Sequence, residues 1–464
     1  MRPRFPRWLK LVLFQAVVLA GFGVLLECAS RLFFAGVADR VVEPLVPTRV
    51  AVEKGPPAEP ASVSGTAGCE CRDAAECRLG FPLRDQRLPC RKAAGATRIL
   101  FLGESSVWGD RLRADETFPA RVEQIAAGRG LAVEAINGGV SGGDLRRALE
   151  VLRFLAPRLH PDVVIVYAGH NEVFPLMWYD GGAMMRTLRG EDRYARVYRW
   201  SSFVRLSAHV ARRLLWRWDN LKGNVDPEDC HRTHGDLILD AARLAEIKAF
   251  RPRAWEQSRT RLGWVLDYSR QAGAKVIYIA PTGNRLLPPA SPAHGPGYLA
   301  RRAAWEAQWA VADGQLKEGR WDRAKDSLVA LADLDPDHAP TYYWLGMASL
   351  QLGDSAGARA WFDRCLETVY LYRPVCHSLD GAPPSLVSVL VGAARERGVP
   401  TWDGDEAVRG GAGPENDRKL FVDRIHLSAY GAKVFAERLV DRLLREGWIG
   451  PGSAPPGGRP PAER

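Results

Sequence analysis

Four residues of this chain carry a hydroxyl, an amide, a carboxylate and an imidazole in short, distinctive motifs. Ser105 lies in Gly-Glu-Ser-Ser-Val-Trp-Gly (the serine motif, residues 103–109) and Asn171 in Gly-His-Asn-Glu (the asparagine motif, residues 169–172). Asp423 and His426 form Asp-Arg-Ile-His (the acid–histidine motif, residues 423–426). A serine hydroxyl becomes a good nucleophile when an imidazole takes its proton, and a carboxylate can hold that imidazole in the required tautomer. These residue types predict a nucleophile, a base with its orienting acid, and an amide donor for an oxyanion.

Apolar, strand-like runs lead directly into two of these motifs. Residues 98–102 precede the serine motif and residues 162–167 precede the asparagine motif. Open parallel sheets build their sites at the carboxyl ends of strands, so this placement favours a shared site. Strand-like and helix-like segments alternate along the chain, which predicts a parallel α/β sheet covered on both faces. We predict further strands at 131–136, 275–280 and 399–402, and helices at 117–129, 144–155, 254–272, 384–397 and 428–446.

Taken in order, the motifs resemble the blocks of the SGNH, or GDSL-like, hydrolase family. Gly-Glu-Ser stands where the family has Gly-Asp-Ser, and Gly109 keeps the glycine four residues after the serine. Asn-Gly-Gly-Val-Ser-Gly, residues 137–142, resembles the second block, and the asparagine and acid–histidine motifs resemble the third and the last. The resemblance implies a three-layer α/β/α, flavodoxin-like fold and a serine hydrolase or acyltransferase that acts on esters. The mechanism of this family requires neither a metal nor another cofactor.

The resemblance also implies a role for each site residue. Ser105 would be the nucleophile, His426 the base, and Asp423 the acid that orients the base. The oxyanion hole would consist of the Ser105 amide, the Gly142 amide and the Asn171 side chain. Loss of one such donor typically lowers turnover by a factor of roughly 100 to 1000.

Two residues depart from the pattern of that family. Glu104 replaces the aspartate beside the nucleophile, and Glu172 replaces the aspartate of the third block. Both keep the negative charge and lengthen the side chain. We therefore expect the core chemistry to carry over and the details of the pocket to differ.

A second serine is a rival nucleophile. Residues 139–143 spell Gly-x-Ser-x-Gly around Ser141, which is the nucleophile elbow of α/β-hydrolases. That elbow should follow its strand immediately, whereas Asn137 and Gly138 are expected to loosen this turn. An acid three residues before the histidine also suits the SGNH pattern better. We therefore assign the nucleophile to Ser105.

Length and charge limit the class of protein. A chain of 464 residues is too long for one ordinary core, so we expect two folded units with tails. The net charge of +10 could suit an anionic surface, but no compact basic motif is typical of a nucleic-acid-binding protein. We expect no nucleic-acid partner.

The amino terminus has the pattern of an export signal or a signal anchor. Arg2, Arg4, Arg7 and Lys10 precede an apolar stretch, residues 11–26, that only Gln15 interrupts. The residues after it form a poor cleavage site, which favours an uncleaved transmembrane helix within residues 1–35 over a cleaved signal. We predict a single-pass protein of the inner membrane whose catalytic domain lies in the periplasm.

Residues 36–95 are predicted to be a linker rich in proline and cysteine. Cys69, Cys71, Cys77 and Cys90 cluster there without a visible core. An oxidising compartment favours disulfides, with free thiols as the first alternative. A zinc site is the second alternative, although Cys-x-Cys lacks the usual separation of zinc ligands.

An all-helical segment, residues 291–382, interrupts the α/β pattern. It contains residues of similar type 34 positions apart, which resembles the tetratricopeptide repeat (TPR) and implies a surface for a protein partner. Two units are too few to stand alone, so we expect this TPR-like insertion to pack on the catalytic body. The hydrolase domain would then comprise residues 96–290 and 383–448, followed by a disordered tail, residues 449–464. The corresponding pairs are Gly319 with Gly353, Ala324 with Ala358, Ala312 with Gly346 and Leu328 with Phe362.

One further segment, residues 186–218, interleaves arginines with aromatic residues. Its apolar residues fall at helical spacing, so a basic amphipathic helix on an anionic surface is one interpretation. A helix or lid that packs over the sheet is the other.

We expect a membrane-anchored serine esterase that cleaves an O-acyl or acetyl ester of a carbohydrate or envelope component through an acyl-enzyme. An O-acetyltransferase that passes the acyl group to a polysaccharide with the same residues is the first alternative. A non-catalytic scaffold whose TPR-like pair binds a protein is the second. The intact Ser105, Asn171, Asp423 and His426 argue against that scaffold.

Overall fold

The structure is a computed structural model, and it describes residues 21–23, 25–26, 28–29, 83–84, 86, 92–173, 203, 238, 241–289, 293–369 and 381–450. By its internal contacts the chain divides into two units, residues 1–63 with 182–233 and residues 64–181 with 234–464. The strands and helices named below all belong to the second unit.

A five-stranded parallel sheet forms the centre of this unit, which confirms the predicted parallel α/β fold. Its strands lie in the order β2-β1-β3-β4-β5, which is the flavodoxin-like order. The order reverses direction between β1 and β3, so the loops after these two strands diverge and leave room for a site. The strands are β1 (Thr97–Gly103), β2 (Val133–Gly139), β3 (Val163–Tyr167), β4 (Lys275–Ile279) and β5 (Thr401–Trp402).

Helices cover both faces of the sheet because its inner strands are apolar on both sides. Phe101 and Tyr167 point to one face, where the ring of Phe118 contacts them with centroids 5.5 and 6.0 Å away. That face packs against helices α2 and α12, whereas α3, α4 and α9 pack together on the other. The helices before the all-helical segment are α1 (Ser105–Trp108), α2 (Phe118–Gly128), α3 (Leu145–Leu159) and α4 (Ala241–Gln271); those after it are α9 (Pro384–Glu396), α10 (Gly404–Arg409), α11 (Asp417–Leu420) and α12 (Ala429–Arg445).

Among the described residues, four helices lie between β4 and α9, and each packs against the next. Helices α6 and α8 begin 34 residues apart, at Trp321 and Ser355, and Ala324 and Ala358 are fully buried at corresponding positions. At Gly346 an added Cβ would lie 2.6 Å from the ring of Phe362, so the helices cross closely there. Assignment to the TPR family stays a prediction. The four helices are α5 (Tyr298–Lys317), α6 (Trp321–Leu334), α7 (Ala339–Gln351) and α8 (Ser355–Val369).

Several predicted features lie wholly or mostly outside the described residues. These are the membrane segment, the cysteine-rich linker, the basic segment 186–218 and the carboxyl-terminal tail. Within the ranges that the structure describes, no helix combines the length and the apolar character needed to cross a bilayer. The predicted domain boundaries stay predictions, because the α/β body and the four inserted helices belong to one unit.

Candidate active site

Ser105 lies at the carboxyl end of β1, where the strand turns into the short helix α1. The strand ends at Gly103, and Ser105 is the first residue of the helix. An added Cβ at Gly103 would lie 2.1 Å from the carbonyl oxygen of Tyr167, so only glycine permits β1 and β3 to approach this closely before the turn. The turn leaves the Ser105 side chain 5% exposed, at the edge where the strands end.

A continuous chain of hydrogen bonds joins Ser105, His426 and Asp423. The Oγ of Ser105 lies 2.8 Å from Nε2 of His426, and Nδ1 of His426 lies 2.8 Å from Oδ2 of Asp423. An ionised carboxylate can only accept, so the imidazole donates from Nδ1 and accepts the serine proton at Nε2. This is the tautomer that a general base beside a serine nucleophile needs.

The carboxylate of Asp423 is held in its ionised form. Burial would raise its pKa, but hydrogen bonds from the His426 side chain and from the amides of His426 and Ile425 outweigh burial and lower the pKa to about 2. Its Oδ1 accepts from these two amides at 2.8 and 3.0 Å, which leaves Oδ2 for the imidazole. The carboxylate therefore fixes both the position and the tautomer of His426.

A tight loop ahead of helix α12 places the acid–histidine motif. The amide of Val422 donates to the carbonyl of His426 at 2.9 Å, which closes the loop on itself. From the loop after β4, the amide of Asn284 donates to the carbonyl of Arg424 at 2.8 Å. Beside the nucleophile, the hydroxyl of Ser106 donates to the carbonyl of Ile425 at 3.3 Å. The loop that carries His426 is thus tied both to the loop after β4 and to the serine motif.

The three predicted oxyanion donors lie on segments that hydrogen-bond to one another. The Asn171 amide donates to Glu104, the residue before Ser105, at 3.1 Å, and Nδ2 of Asn171 donates to the Gly143 carbonyl at 2.5 Å. One of the two Nδ2 hydrogens is thus engaged, and the other remains for an oxyanion. Gly142 has a φ of +69°, which favours glycine, and within the described residues its amide donates to no acceptor. This arrangement is compatible with the predicted oxyanion hole.

The two glutamates that depart from the family pattern are buried and hold separate backbone segments. Glu104 accepts from the amides of Gly169 and Asn171 at 2.7 and 3.1 Å, so it fastens the asparagine motif to the serine motif. Glu172 accepts from the amide of Leu145 at 2.7 Å and thereby satisfies the first turn of α3. Burial raises the pKa of Glu104 well above its usual range, and the charge of Glu172 raises it further. The sequence had not revealed either structural role.

Replacing Glu104 by glutamine is expected to lower the free energy of unfolding by about 1–3 kcal/mol, since one of the two buried amides would lose its acceptor. Urea unfolding monitored by circular dichroism measures this loss. Glu437→Gln on helix α12 is the matched control, because within the described residues Glu437 makes one exposed ion pair, with Lys433 at 3.8 Å, and we expect a change of at most about 0.5 kcal/mol. Equal stability of the two variants would contradict the role assigned to Glu104.

Strand β2, which leads to Ser141, is longer than the sequence predicts. Strand β2 continues through Asn137 to Gly139, so the predicted end at residue 136 and the loosened turn at Asn137 and Gly138 are wrong. The strand extends because it pairs with β1 along its whole length, Gly139 opposite Gly103. The hydroxyl of Ser141 donates to Oδ2 of Asp110 at 2.9 Å, whereas His426 bonds to Ser105. The geometry thus favours Ser105 as the nucleophile for another reason.

Two further residues near the base had no signal in the sequence. Asp110 places Oδ2 3.8 Å from Nε2 of His426. His170 is buried beside the site, and its Nδ1 accepts from the amide of Ala382 at 3.2 Å. Burial and then the nearby imidazole of His426 lower the pKa of His170 to about 3, so this ring is neutral near pH 7. Asp110 and His170 each hydrogen-bond to a residue of another loop, and a short sequence motif cannot reveal such a contact.

The described part of the chain offers no cluster of three or more His, Cys, Asp or Glu side chains that could hold a metal ion. A cavity of about 260 Å³ lies near the carboxyl ends of β4 and β5, with residues of α8 and α9 in its wall. His170 and Arg424 line it, but Ser105, Asp423 and His426 do not. The cavity therefore adjoins the hydrogen-bonded Ser105, His426 and Asp423, but these three residues do not form its wall.

No family model matches the sequence, and no curated protein matches it. Solved structures similar to the chain include a lipase/acylhydrolase from Enterococcus faecalis, with 13% identity, 77% of this chain and 100% of that chain covered, and a TM-score of 0.34. An acetyl xylan esterase has 11% identity, 75% and 99% coverage and a TM-score of 0.34. The esterase EstA from Pseudoalteromonas sp. has 10% identity, 75% and 98% coverage and a TM-score of 0.33. At these values the similarities carry no argument about activity.

Proposed function

We propose that the protein is an SGNH-type serine esterase that forms an acyl-enzyme on Ser105. The observation that carries this proposal is the chain of two 2.8 Å contacts from Ser105 through His426 to Asp423. Its position at the carboxyl end of β1 in a flavodoxin-like sheet supports the proposal, because this edge is where such sheets place their sites.

The geometry supports a two-step mechanism. His426 takes the proton of Ser105 at Nε2 while Oγ attacks the acyl carbon, and Asp423 stabilises the resulting imidazolium. The Ser105 and Gly142 amides and the Asn171 side chain would bind the oxyanion. His426 then gives its proton to the leaving alcohol, and a second oxygen nucleophile releases the acyl group.

We propose an O-acyl, in particular acetyl, ester of a carbohydrate or envelope component as the substrate.

An apolar stretch at residues 11–26 with basic residues before it supports a membrane anchor and an active site outside the cytoplasm. We expect the full-length protein to remain in membranes that have been washed with carbonate. A variant without residues 1–35 should be released by the same wash. A full chain released by the wash would argue against the anchor. The TPR-like helices would offer a surface for a protein partner.

Covalent labelling tests the proposed activity directly. The purified full-length protein, incubated with a fluorophosphonate probe, is expected to carry one probe on Ser105 by peptide mass spectrometry, because such probes react with activated serines. Heat-denatured protein is the control and should remain unlabelled. A native protein that is never labelled would favour the non-catalytic scaffold.

A further inference from the structure

The carboxylate of Asp110 lies near Nε2 of His426, the atom that must take a proton in the second half of the proposed reaction. Its Oδ2 is 3.8 Å from Nε2 of His426 and accepts from the hydroxyl of Ser141 at 2.9 Å. The Asp110 side chain is 31% exposed, so small molecules can reach it.

The backbone of Asp110 is tied firmly to the nucleophile. Its amide donates to the carbonyl of Ser105 at 3.1 Å. The guanidinium of Arg84 donates to the carbonyls of Trp108 and Gly109 at 3.0 and 2.8 Å. The carboxylate is thus held at a defined place relative to Ser105 and His426.

The distance between Asp110 and His426 suits one bridging oxygen atom. To lose its proton, the oxygen that attacks the acyl-enzyme must lie about 2.6–3.2 Å from Nε2. Two atoms 3.8 Å apart leave positions at which one oxygen is within hydrogen-bond distance of both. A carboxylate at such a position can only accept, so the bridging molecule needs two protons to donate.

Water has two such protons, whereas an alcohol has one. A water molecule can donate one proton to Nε2 and the other to Oδ2 of Asp110, but an alcohol that donates to Nε2 has none left for the carboxylate. We infer that Asp110 positions the hydrolytic water and thereby directs the acyl-enzyme to water rather than to an alcohol acceptor. The inference rests on the proposed function.

In the second half of the proposed reaction, a water oxygen replaces Oγ of Ser105 on the acyl carbon. The water oxygen forms a bond to the acyl carbon while one of its protons passes to Nε2 of His426, and the other stays hydrogen-bonded to Asp110. The tetrahedral intermediate then breaks the bond between the acyl carbon and Oγ of Ser105. The proton on His426 returns to Oγ, which leaves a carboxylic acid and the free serine. Asp110 gains and loses no proton.

Asp110→Asn tests this inference, because asparagine keeps the size of the side chain, but the oxygen that accepts from Ser141 and from the water then belongs to a neutral amide and is a weaker acceptor than the carboxylate. The full-length enzyme would hydrolyse p-nitrophenyl acetate in a fixed concentration of methanol, with acetate and methyl acetate measured by NMR. The ratio of methyl acetate to acetate is expected to rise about tenfold, as replacement of a charged hydrogen-bond acceptor by a neutral one implies. The rate of acylation, measured from the burst of p-nitrophenol, is expected to change by less than about threefold.

Asp115→Asn is the matched control, since Asp115 lies nearby with its side chain 55% exposed and pairs with Arg113 at 3.2 Å. It should leave the product ratio as in the unaltered enzyme. An unchanged ratio in Asp110→Asn would overturn the inference. So would equal slowing of acylation and deacylation, because Asp110 would then act on the imidazolium in both steps. An unaltered enzyme without any burst or turnover would instead remove the proposed function, and the inference with it.

Discussion

Replacing Ser105 by alanine is expected to lower kcat for p-nitrophenyl acetate by about 10⁶-fold. The substitution removes the only oxygen that hydrogen-bonds to Nε2 of His426, at 2.8 Å, within the part of the chain that the structure describes. Without that oxygen no acyl-enzyme forms, so both the burst and the steady-state release of p-nitrophenol should disappear. Stopped-flow and steady-state assays on the same preparation measure the two quantities.

Ser141→Ala is the informative comparison for this variant. Ser141 belongs to the Gly-x-Ser-x-Gly motif, but its hydroxyl is bonded to Asp110 rather than to the base. We expect Ser141→Ala to keep the burst and to react with the fluorophosphonate probe. Loss of the burst in Ser141→Ala, with a burst retained in Ser105→Ala, would overturn the assignment of the nucleophile. Circular dichroism and Tm show whether both variants are folded.

Replacing Asp423 by asparagine is expected to lower kcat by about 10⁴-fold, although the side chain keeps its size. The Nδ2 group of asparagine would donate to Nδ1 of His426, which moves the ring proton to Nε2. A protonated Nε2 cannot accept the proton of Ser105, so the chain of hydrogen bonds would run in the wrong direction. The effect should persist well above the pKa of about 2 that the native carboxylate has, because it arises from the tautomer and not from incomplete ionisation.

Burst kinetics separate this variant from Asp110→Asn. Asp423→Asn should slow acylation and deacylation together, since His426 serves both steps. Asp110→Asn should slow mainly the second. An Asp423→Asn enzyme with native burst kinetics would show that Asp423 does not orient the base.

The sheet could be predicted from the sequence because its strands are short, apolar and separated by helices. Strand β2 was shortened in the prediction, since Asn137, Gly138 and Gly139 resemble a turn when read locally. Their extended conformation depends on pairing with β1 and on the Asn137 side chain, which donates to the carbonyl of Val107 at 2.9 Å. Helix α4 begins at Ala241, not at residue 254, and contains Pro252. A proline disfavours a helix interior in isolation, but α4 packs against α3 and α9.

The site was predictable where a motif is contiguous with a strand end or places acid and base three residues apart. Ser105, Asp423 and His426 meet these conditions, and the structure brings them together. Asp110 and the roles of Glu104 and Glu172 could not be predicted, because each depends on a contact between loops that are distant in sequence. Glu104 is 65 residues from Gly169, and Ser141 is 31 residues from Asp110.

Ser105 and His426 are 321 residues apart, and helices α5 to α8 are inserted between β4 and α9. During synthesis, His426 emerges 321 residues after Ser105. Contacts of such large sequence separation form late, because the intervening chain must first be ordered. A nascent chain that contains Ser105 but not yet His426 therefore has no imidazole to take the serine proton. The proposed esterase activity would accordingly begin only after these two segments have met in the folded chain.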